Sequence, residues 1–548
     1  MASTWAQADH HAERGTAPPR PSPLVDTGTH VLLLAGAAAL TCFYLSATLE
    51  TVLRTFEDDA FYYLTIARRI AAGEGSTYDG IHATNGYHPL WCFSLVPLMG
   101  VFGDQPEQAV RAVGVLCVWL RFLTSVLAYH MLRQSISVSQ FSAIGALALF
   151  AVANSFSTDG MEESLHMLAV LTFIAVLGAR PSAALGVIVP PLLLAAVVLS
   201  RLDSGFTAVV YFCWLAWSAF HRFERRVWRG FAIEIAVFVG ILGGYLAWNR
   251  AHFDTLIPIS GMIKSSFPHL ATAGDFWKAA SLGNRALILH AFVFTAFFVC
   301  VLANRRLWRW AGWRESRTTV GIGAWSAGLC AFAVYTMVFG KWGVGFSWYY
   351  QPFAFLCALA IPFWLQVGAC VLERRGFLAR SRSVLSVLTA LAAVAFAGRV
   401  AEKHLVRRDL TDFHIASYWA AKWVAEHLPE DTILAMNDSG TFGFFAQRPV
   451  INLDGVVNNR DYQVRLCARG IDAYLREESV QYYATHAVAP TQVRDGAYES
   501  FPCASHDSPL FECPGGSHLL HRRNEVYRFS YNRPDPTVFV IWRIMDPP

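Results

Sequence analysis

For most of its length the chain is a succession of long apolar runs, with none of the one-in-two alternation of a half-buried strand and little of the one-sided striping of a soluble helix. The runs lie near 31–49, 89–103, 109–132, 141–154, 164–178, 184–200, 205–220, 230–249, 285–303, 318–340, 350–372 and 383–398. A helix needs roughly 20 residues to cross a ~30 Å hydrocarbon layer, so each run is a candidate span. Short loops rich in arginine mark the cytosolic side: Arg222, Arg225, Arg226 and Arg229; Arg305, Arg306, Arg309, Arg314 and Arg317; Arg374, Arg375, Arg380 and Arg382. The alternating loops, and everything after the last run, then face the opposite side. Placing both the loop at Asp58 and the loop at Glu162 outside allows only an even number of crossings between them, yet three runs lie there. One of the three, first of all the short 141–154, is therefore re-entrant, interfacial or fused to its neighbour, which leaves about 11 true spans.

Two stretches break this pattern. Between the first two runs, Thr55 to Trp91 reads TFEDDAFYYLTIARRIAAGEGSTYDGIHATNGYHPLW. Phe61, Tyr62, Leu64, Ile66 and Ile70 recur at helical spacing beside Arg68 and Arg69, which predicts a helix lying along the interface with its apolar side in lipid. Gly73, Gly75, Asn85, Gly86 and Pro89 then turn the chain back toward the bilayer. From about Arg399 the chain becomes polar and mixed. EDTILAMND and RPVINLDG read as strands ending in turns and GTFGFFAQ as a short helix between them, which predicts an α/β layer. The expected organisation is a disordered cytosolic tail over 1–30, a membrane domain over 31–398 with a large first extracytosolic loop at 50–88, and an extracytosolic α/β domain over 399–548.

Composition agrees. At 54% hydrophobic, 15% charged and a mean hydropathy of +0.36, the 548 residues form an integral membrane protein. The net charge of +4 is too small to imply a nucleic-acid partner, and the basic excess belongs to the membrane part. From Arg399 onward there are 16 Lys and Arg against 19 Asp and Glu, leaving 28 against 21 before it. Eight of the eleven cysteines sit in or beside apolar runs as small hydrophobes; Cys503 and Cys513 could close a disulfide if their part faces an oxidising compartment.

Chemistry concentrates in the extracytosolic loops. Glu57, Asp58 and Asp59 are adjacent carboxylates, which a solvated loop tolerates, but which a site keeps only with a metal, an arginine or a proton to manage them. Asp159 and Glu162 in STDGMEES form a second acidic group, equally readable as a helix N-terminal cap. Arg201 and Asp203 in SRLDSGF, Lys264 in IKSSFP and His88 in GYHP stand at helix ends; Lys264 could simply snorkel. Lys341, Trp348, Tyr349 and Tyr350 could line a site or form an aromatic belt. Arg121 lies inside an apolar run, which calls for a buried partner, such as one of the acidic clusters, or an aqueous cavity.

The order ED-D-A-F-Y-Y-L, A-R-R, G-x-G, Y-D-G, T-N-G-Y-H-P-L-W resembles the first extracytosolic loop of the polytopic GT-C glycosyltransferases, the superfamily of protein mannosyltransferases, aminoarabinose transferases and arabinofuranosyltransferases. That resemblance covers mainly 30–270 and fades by about 360. It implies a GT-C membrane fold in a bacterial cytoplasmic membrane, a polyprenyl-phosphate-linked sugar donor, and a glycan, lipid or protein acceptor. It implies a catalytic acid at Asp58 or Asp59, without deciding which. It also implies an acceptor- or metal-holding role for Asp159 and Glu162, and phosphate binding by Arg201 and Lys264 with His88, supported by Glu57, Arg121, Asp203, Lys341 and Tyr349. Whether a divalent ion assists stays open, because the acidic pairs offer oxygen ligands while Arg and Lys can neutralise a phosphate unaided. A transporter or flippase is the competing class; it predicts related halves and polar groups at mid-membrane, neither of which the sequence shows.

Overall fold

The computed structural model describes residues 23–136, 138–156, 158–179, 185–222, 224–270, 281–303, 317–340, 347–374, 387, 391, 394, 398, 412–488, 492–494, 497–500, 518–532 and 536–544. Among them, six helices are long and apolar enough to cross a membrane: Val25–Ser46, Pro106–Ser135, Arg225–Phe253, Leu282–Val301, Gly321–Phe339 and Trp348–Leu372. Four shorter apolar helices, Pro89–Phe102, Ser139–Ala153, Glu163–Gly178 and Leu185–Ser200, pack with them, as does Gly205–Arg222. Lys341, the Cys503 and Cys513 pair and all of the run at 383–398 but residues 387, 391, 394 and 398 lie outside the described residues. Among the described residues, the helix Pro23–Ser46 begins ahead of the apolar run at 31.

The 141–154 run forms a helix buried along most of its length, from Phe141 to Ala153, against the helix Ser347–Arg374. By contrast, Arg225–Phe253 buries only Glu234 and Asn249, the pattern of a helix on the lipid side of a bundle. Glu234 is matched there by the Tyr211 hydroxyl, which donates to it at 2.8 Å.

The C-terminal part is an α/β layer. Strands β1 (Leu434–Met436), β2 (Val450–Asn452), β3 (Tyr482–Val488), β7 (Glu525–Asn532) and β8 (Pro536–Arg543) form one sheet in the order β2-β1-β3-β8-β7. β1 runs parallel to both β2 and β3, while β8 is antiparallel to β3 and β7. A small second sheet joins β4 (Gln492–Arg494), β5 (Ala497–Ser500) and β6 (His518–His521). The strands foreseen in EDTILAMND and RPVINLDG are β1 and β2, and the helix foreseen between them is Gly440–Ala446.

What positions the site is the joint between this layer and the first loop. The helix Asp58–Ala71 buries every residue from Ala60 to Ala67. This overturns the expectation of an apolar face in lipid: Phe61 meets Phe444 and Phe445 of the helix Gly440–Ala446, while the helix from Pro89 packs along another side. One hydrophobic core runs continuously from Leu53, Phe61 and Trp91 to Ala416, Phe442 and Phe539. Gly86 allows the closest approach, since a Cβ there would stand 1.9 Å from the Val456 carbonyl oxygen. Thr84 Oγ1 donates to the Asn458 carbonyl at 2.8 Å beside it.

Candidate active site

Three loops of the membrane part and one edge of the sheet build a cleft. Asp59 is in the first turn of the helix Asp58–Ala71, where the positive end of the peptide dipoles favours a carboxylate. Its Oδ2 stands 4.0 Å from Lys264 Nζ, and both side chains keep partial solvent access, 28% and 15%. Lys264 closes the five-residue helix Ile259–Ile263. Its loop is tied to the first one by Asn85, whose Oδ1 accepts from the Ile259 backbone N–H at 3.1 Å and whose Nδ2 donates to Thr255 Oγ1 at 2.9 Å. That is the work of Asn85 in the T-N-G-Y-H motif. Lys264 Nζ lies over the rings of Trp348 and Tyr349 at 6.0 and 5.8 Å.

Burial raises the Asp59 carboxyl above its ordinary 3.8; Lys264 pulls it back down and Glu162 pushes it up. Burial lowers Lys264, but Tyr349 and Asp59 outweigh it, so the amine ends above 10.5 and stays charged. A base held against a permanent cation can be ionised and still avid for a proton.

The second acidic motif splits in two. Glu162 stays at the cleft: Tyr63 donates to its Oε2 at 3.1 Å, and His88 Nε2 and Arg201 stand 3.6 Å from its Oε1. Asp159 is fully buried elsewhere, accepting from Tyr44 Oη at 2.5 Å and from Arg121 at 2.6 Å. Arg121 also reaches Ser164 and Asn154, so it clamps the turn that carries Glu162. Removing one member of a buried ion pair costs about 3–5 kcal/mol. Arg121→Met should therefore lower the melting temperature of the detergent-solubilised protein sharply, and Arg121→Met with Asp159→Asn should recover most of the loss. A single variant as stable as the wild type would show the pair to be dispensable.

Arg201 is already engaged. It donates to both oxygens of Asp203 at 3.1 and 2.9 Å, to Glu163 at 2.7 Å and to the Trp348 carbonyl at 3.1 Å. The guanidinium fork thus organises the floor of the site, and Lys264 is the cation with the greater access. His88 accepts from the Leu202 N–H through Nδ1 at 3.2 Å, which puts a proton on Nε2 when the ring is neutral. Burial, ahead of the opposing pull of Asp203, pushes this imidazole down to about 3 and keeps it neutral.

Asp58 points away from the cleft centre. Its Oδ2 accepts from the Gly440 N–H at 2.7 Å, and its Oδ1 from Thr441 N–H at 2.8 Å and Thr441 Oγ1 at 2.7 Å. Glu57, just before the helix, makes no capping bond through its side chain.

The sheet edge supplies two further acids. Asp438 follows β1 and Asp454 follows β2, both at the carboxyl ends of parallel strands, where ligands gather in α/β sheets. Asp438 adopts a left-handed backbone with φ 44°, tolerable for Asp, and its N–H donates to Asp454 Oδ2 at 2.9 Å. Asp438 still touches solvent, while the protein packed around it and then the Asp59 charge push its carboxyl up to about 6. In sequence, D-S-G and N-L-D-G read as strand-end turns, which suit a ligand contact or a plain turn equally; that they meet the membrane loop is not visible there.

Among the described residues, no group of three or more His, Cys, Asp or Glu side chains is arranged to hold a metal ion.

The chain is a multi-pass membrane protein with the GT-C fold, carrying a C-terminal α/β domain packed on the loop after its first long apolar helix. In overall structure it is similar to the aminoarabinose transferase ArnT from Cupriavidus metallidurans bound to undecaprenyl phosphate, with a TM-score of 0.52 and 14% identity, covering 94% of this chain and 98% of that one. The apo state of the same ArnT matches with a TM-score of 0.50 over the same shares. A family model described only as a domain of unknown function (DUF8728) matches residues 408–526. No curated protein matches.

Proposed function

We propose that this protein is an integral-membrane glycosyltransferase which passes a sugar from a polyprenyl-phosphate carrier to a hydroxyl of a glycan, lipid or protein acceptor, with inversion, on the extracytosolic face of a bacterial cytoplasmic membrane. The observation that carries the reading is the meeting of Asp59 and Lys264, from two distant loops, at 4.0 Å in one cleft whose sides are aromatic and acidic. The ArnT fold, in a structure that holds undecaprenyl phosphate, supports a lipid-phosphate donor.

In this reading Asp59 is the general base. The acceptor oxygen attacks the anomeric carbon, its proton passes to Asp59, and the bond from that carbon to the phosphate oxygen breaks with its electron pair on the phosphate. A single displacement inverts the centre. Lys264 meets the charge growing on the leaving phosphate, as a point cation rather than a fork. His88 offers a neutral Nε2–H beside it, and Tyr349 and Trp348 wall the donor. Glu162, steadied by Tyr63, borders the acceptor side; Arg201 with Asp203, and Arg121 with Asp159, hold the turns in place. Glu162 already receives Tyr63 and lies beside Arg201, so the chemistry proposed uses this chain's own side chains and routes no step through a metal ion.

The test is direct. Purified protein in liposomes, given undecaprenyl-phosphate-linked radiolabelled sugars and a panel of glycan, lipid and peptide acceptors, should release free undecaprenyl phosphate as label moves to an acceptor. Movement of intact lipid-linked sugar across the bilayer with no cleavage would establish a flippase instead.

A further inference from the structure

The helix Asp58–Ala71 presents two neighbouring stripes to two different bodies. Residues four apart on a helix share a face, and successive residues point about 100° apart. Asp58 and Tyr62 form one stripe, and it is docked on the C-terminal domain. Asp58 takes its three hydrogen bonds from Gly440 and Thr441. The Tyr62 hydroxyl donates to Asp454 Oδ2 and accepts from the Ser439 N–H and from Asn452 Nδ2, each at 3.1 Å. Asp59 and Tyr63 form the adjacent stripe, and it faces the working side, toward Lys264 and Glu162. The rotation of this helix about its axis therefore decides whether Asp59 stands over the cleft, and the docked stripe sets that rotation.

The fit is close. A Cβ on Gly440 would lie 2.0 Å from the Asp58 carbonyl oxygen, so the 439–441 turn approaches the helix backbone as nearly as only glycine permits. Tyr78, from the same loop, donates to the Ser439 carbonyl at 2.7 Å and holds the turn from behind.

We propose that the 439–441 turn of the C-terminal domain is part of the catalytic apparatus, and that Thr441 is a positioning residue which, through Asp58, sets where Asp59 stands. The proposal rests on the glycosyltransferase reading above and adds to it that the polar domain, and not the membrane bundle alone, determines turnover. Thr441 is fully buried and its hydroxyl is turned to Asp58, so it acts through that carboxylate. A misplacement of about 1 Å in a base can cost about 100-fold in rate, so a modest rotation is enough to be read.

The experiment compares Thr441→Val, Thr441→Ser and Asp59→Asn in the full-length protein, using undecaprenyl-phosphate-linked radiolabelled sugars and measuring kcat, donor KM and melting temperature in detergent. Thr441→Val keeps the shape and loses the hydroxyl that reaches Asp58 Oδ1; kcat should fall about tenfold with donor KM within about twofold, because Lys264 and the aromatic wall are untouched. Thr441→Ser restores the hydroxyl and should restore most of the turnover. Wild-type kcat in Thr441→Val overturns the proposal. So does a loss that tracks a lower melting temperature and weaker donor binding, which is plain destabilisation, or a loss that Thr441→Ser fails to repair. Full activity in Asp59→Asn removes the assigned base itself, and no turnover of any donor by the wild type removes the glycosyltransferase reading; either result carries this inference away by a different route.

Discussion

Asp59→Asn should leave a folded protein that binds the lipid phosphate and transfers no sugar at a useful rate. The amide is nearly isosteric with the carboxylate, so the packing of the helix Asp58–Ala71, buried from Ala60 to Ala67, is undisturbed. A positioned general base contributes about 10²–10⁴-fold to such a step, and kcat should fall by that order. Binding should move the other way or not at all. Asp59 is a negative charge 4.0 Å from the amine assigned to the phosphate, and removing it removes a repulsion between enzyme and donor headgroup. Turnover by product release and affinity for undecaprenyl phosphate by calorimetry separate the two effects. A variant with unchanged kcat would take the base away from Asp59, and one with weakened lipid binding would show that Asp59 helps hold the donor after all.

The same carboxylate shows how far pattern reading reached. The pair Asp58 and Asp59 was visible as chemistry because adjacent acids beside an apolar run need a reason to be kept. Helical periodicity says that neighbours diverge by about 100°, but not which direction is the cleft. That required the partner at 440–441, some 380 positions away along the chain. The lipid-facing expectation for Phe61 and Ile66 failed for the same reason: amphipathicity identifies a face that must be covered, and the cover came from the helix Gly440–Ala446. For Arg121 the sequence left a buried partner or an aqueous cavity open, and the structure supplies the partner, Asp159 at 2.6 Å. Arg201 stood out as a candidate, but nothing in the sequence told that its fork is occupied by Glu163 and Asp203. For Asp438 and Asp454 the sequence leaves a ligand contact and an ordinary turn equally open, because what brings both turns to one edge is the parallel pairing of β1 with β2.

Lys264→Gln should damage the reaction twice, and the second injury carries a sign. The first is loss of the cation against the leaving phosphate: removing one preorganised electrostatic contact of this kind costs about 10²–10³-fold in kcat, and the affinity for undecaprenyl phosphate should weaken, opposite to Asp59→Asn. The second concerns Asp59 itself. Burial and Glu162 raise its proton affinity, with Asp438 a further negative neighbour, and Lys264 is the charge that lowers it. The base must be ionised to work, so activity is lost as pH falls through its folded-state value. With Lys264 gone that value rises, and the acid limb of kcat/KM against pH should move to higher pH. Lys264→Arg keeps the charge and should keep the limb near its wild-type position even where the larger guanidinium crowds Trp348 and Tyr349 and lowers kcat. An acid limb that stays put in Lys264→Gln, or moves down, would mean that the amine and the base do not share a cleft. The 4.0 Å meeting of the two loops would then have no part in the chemistry.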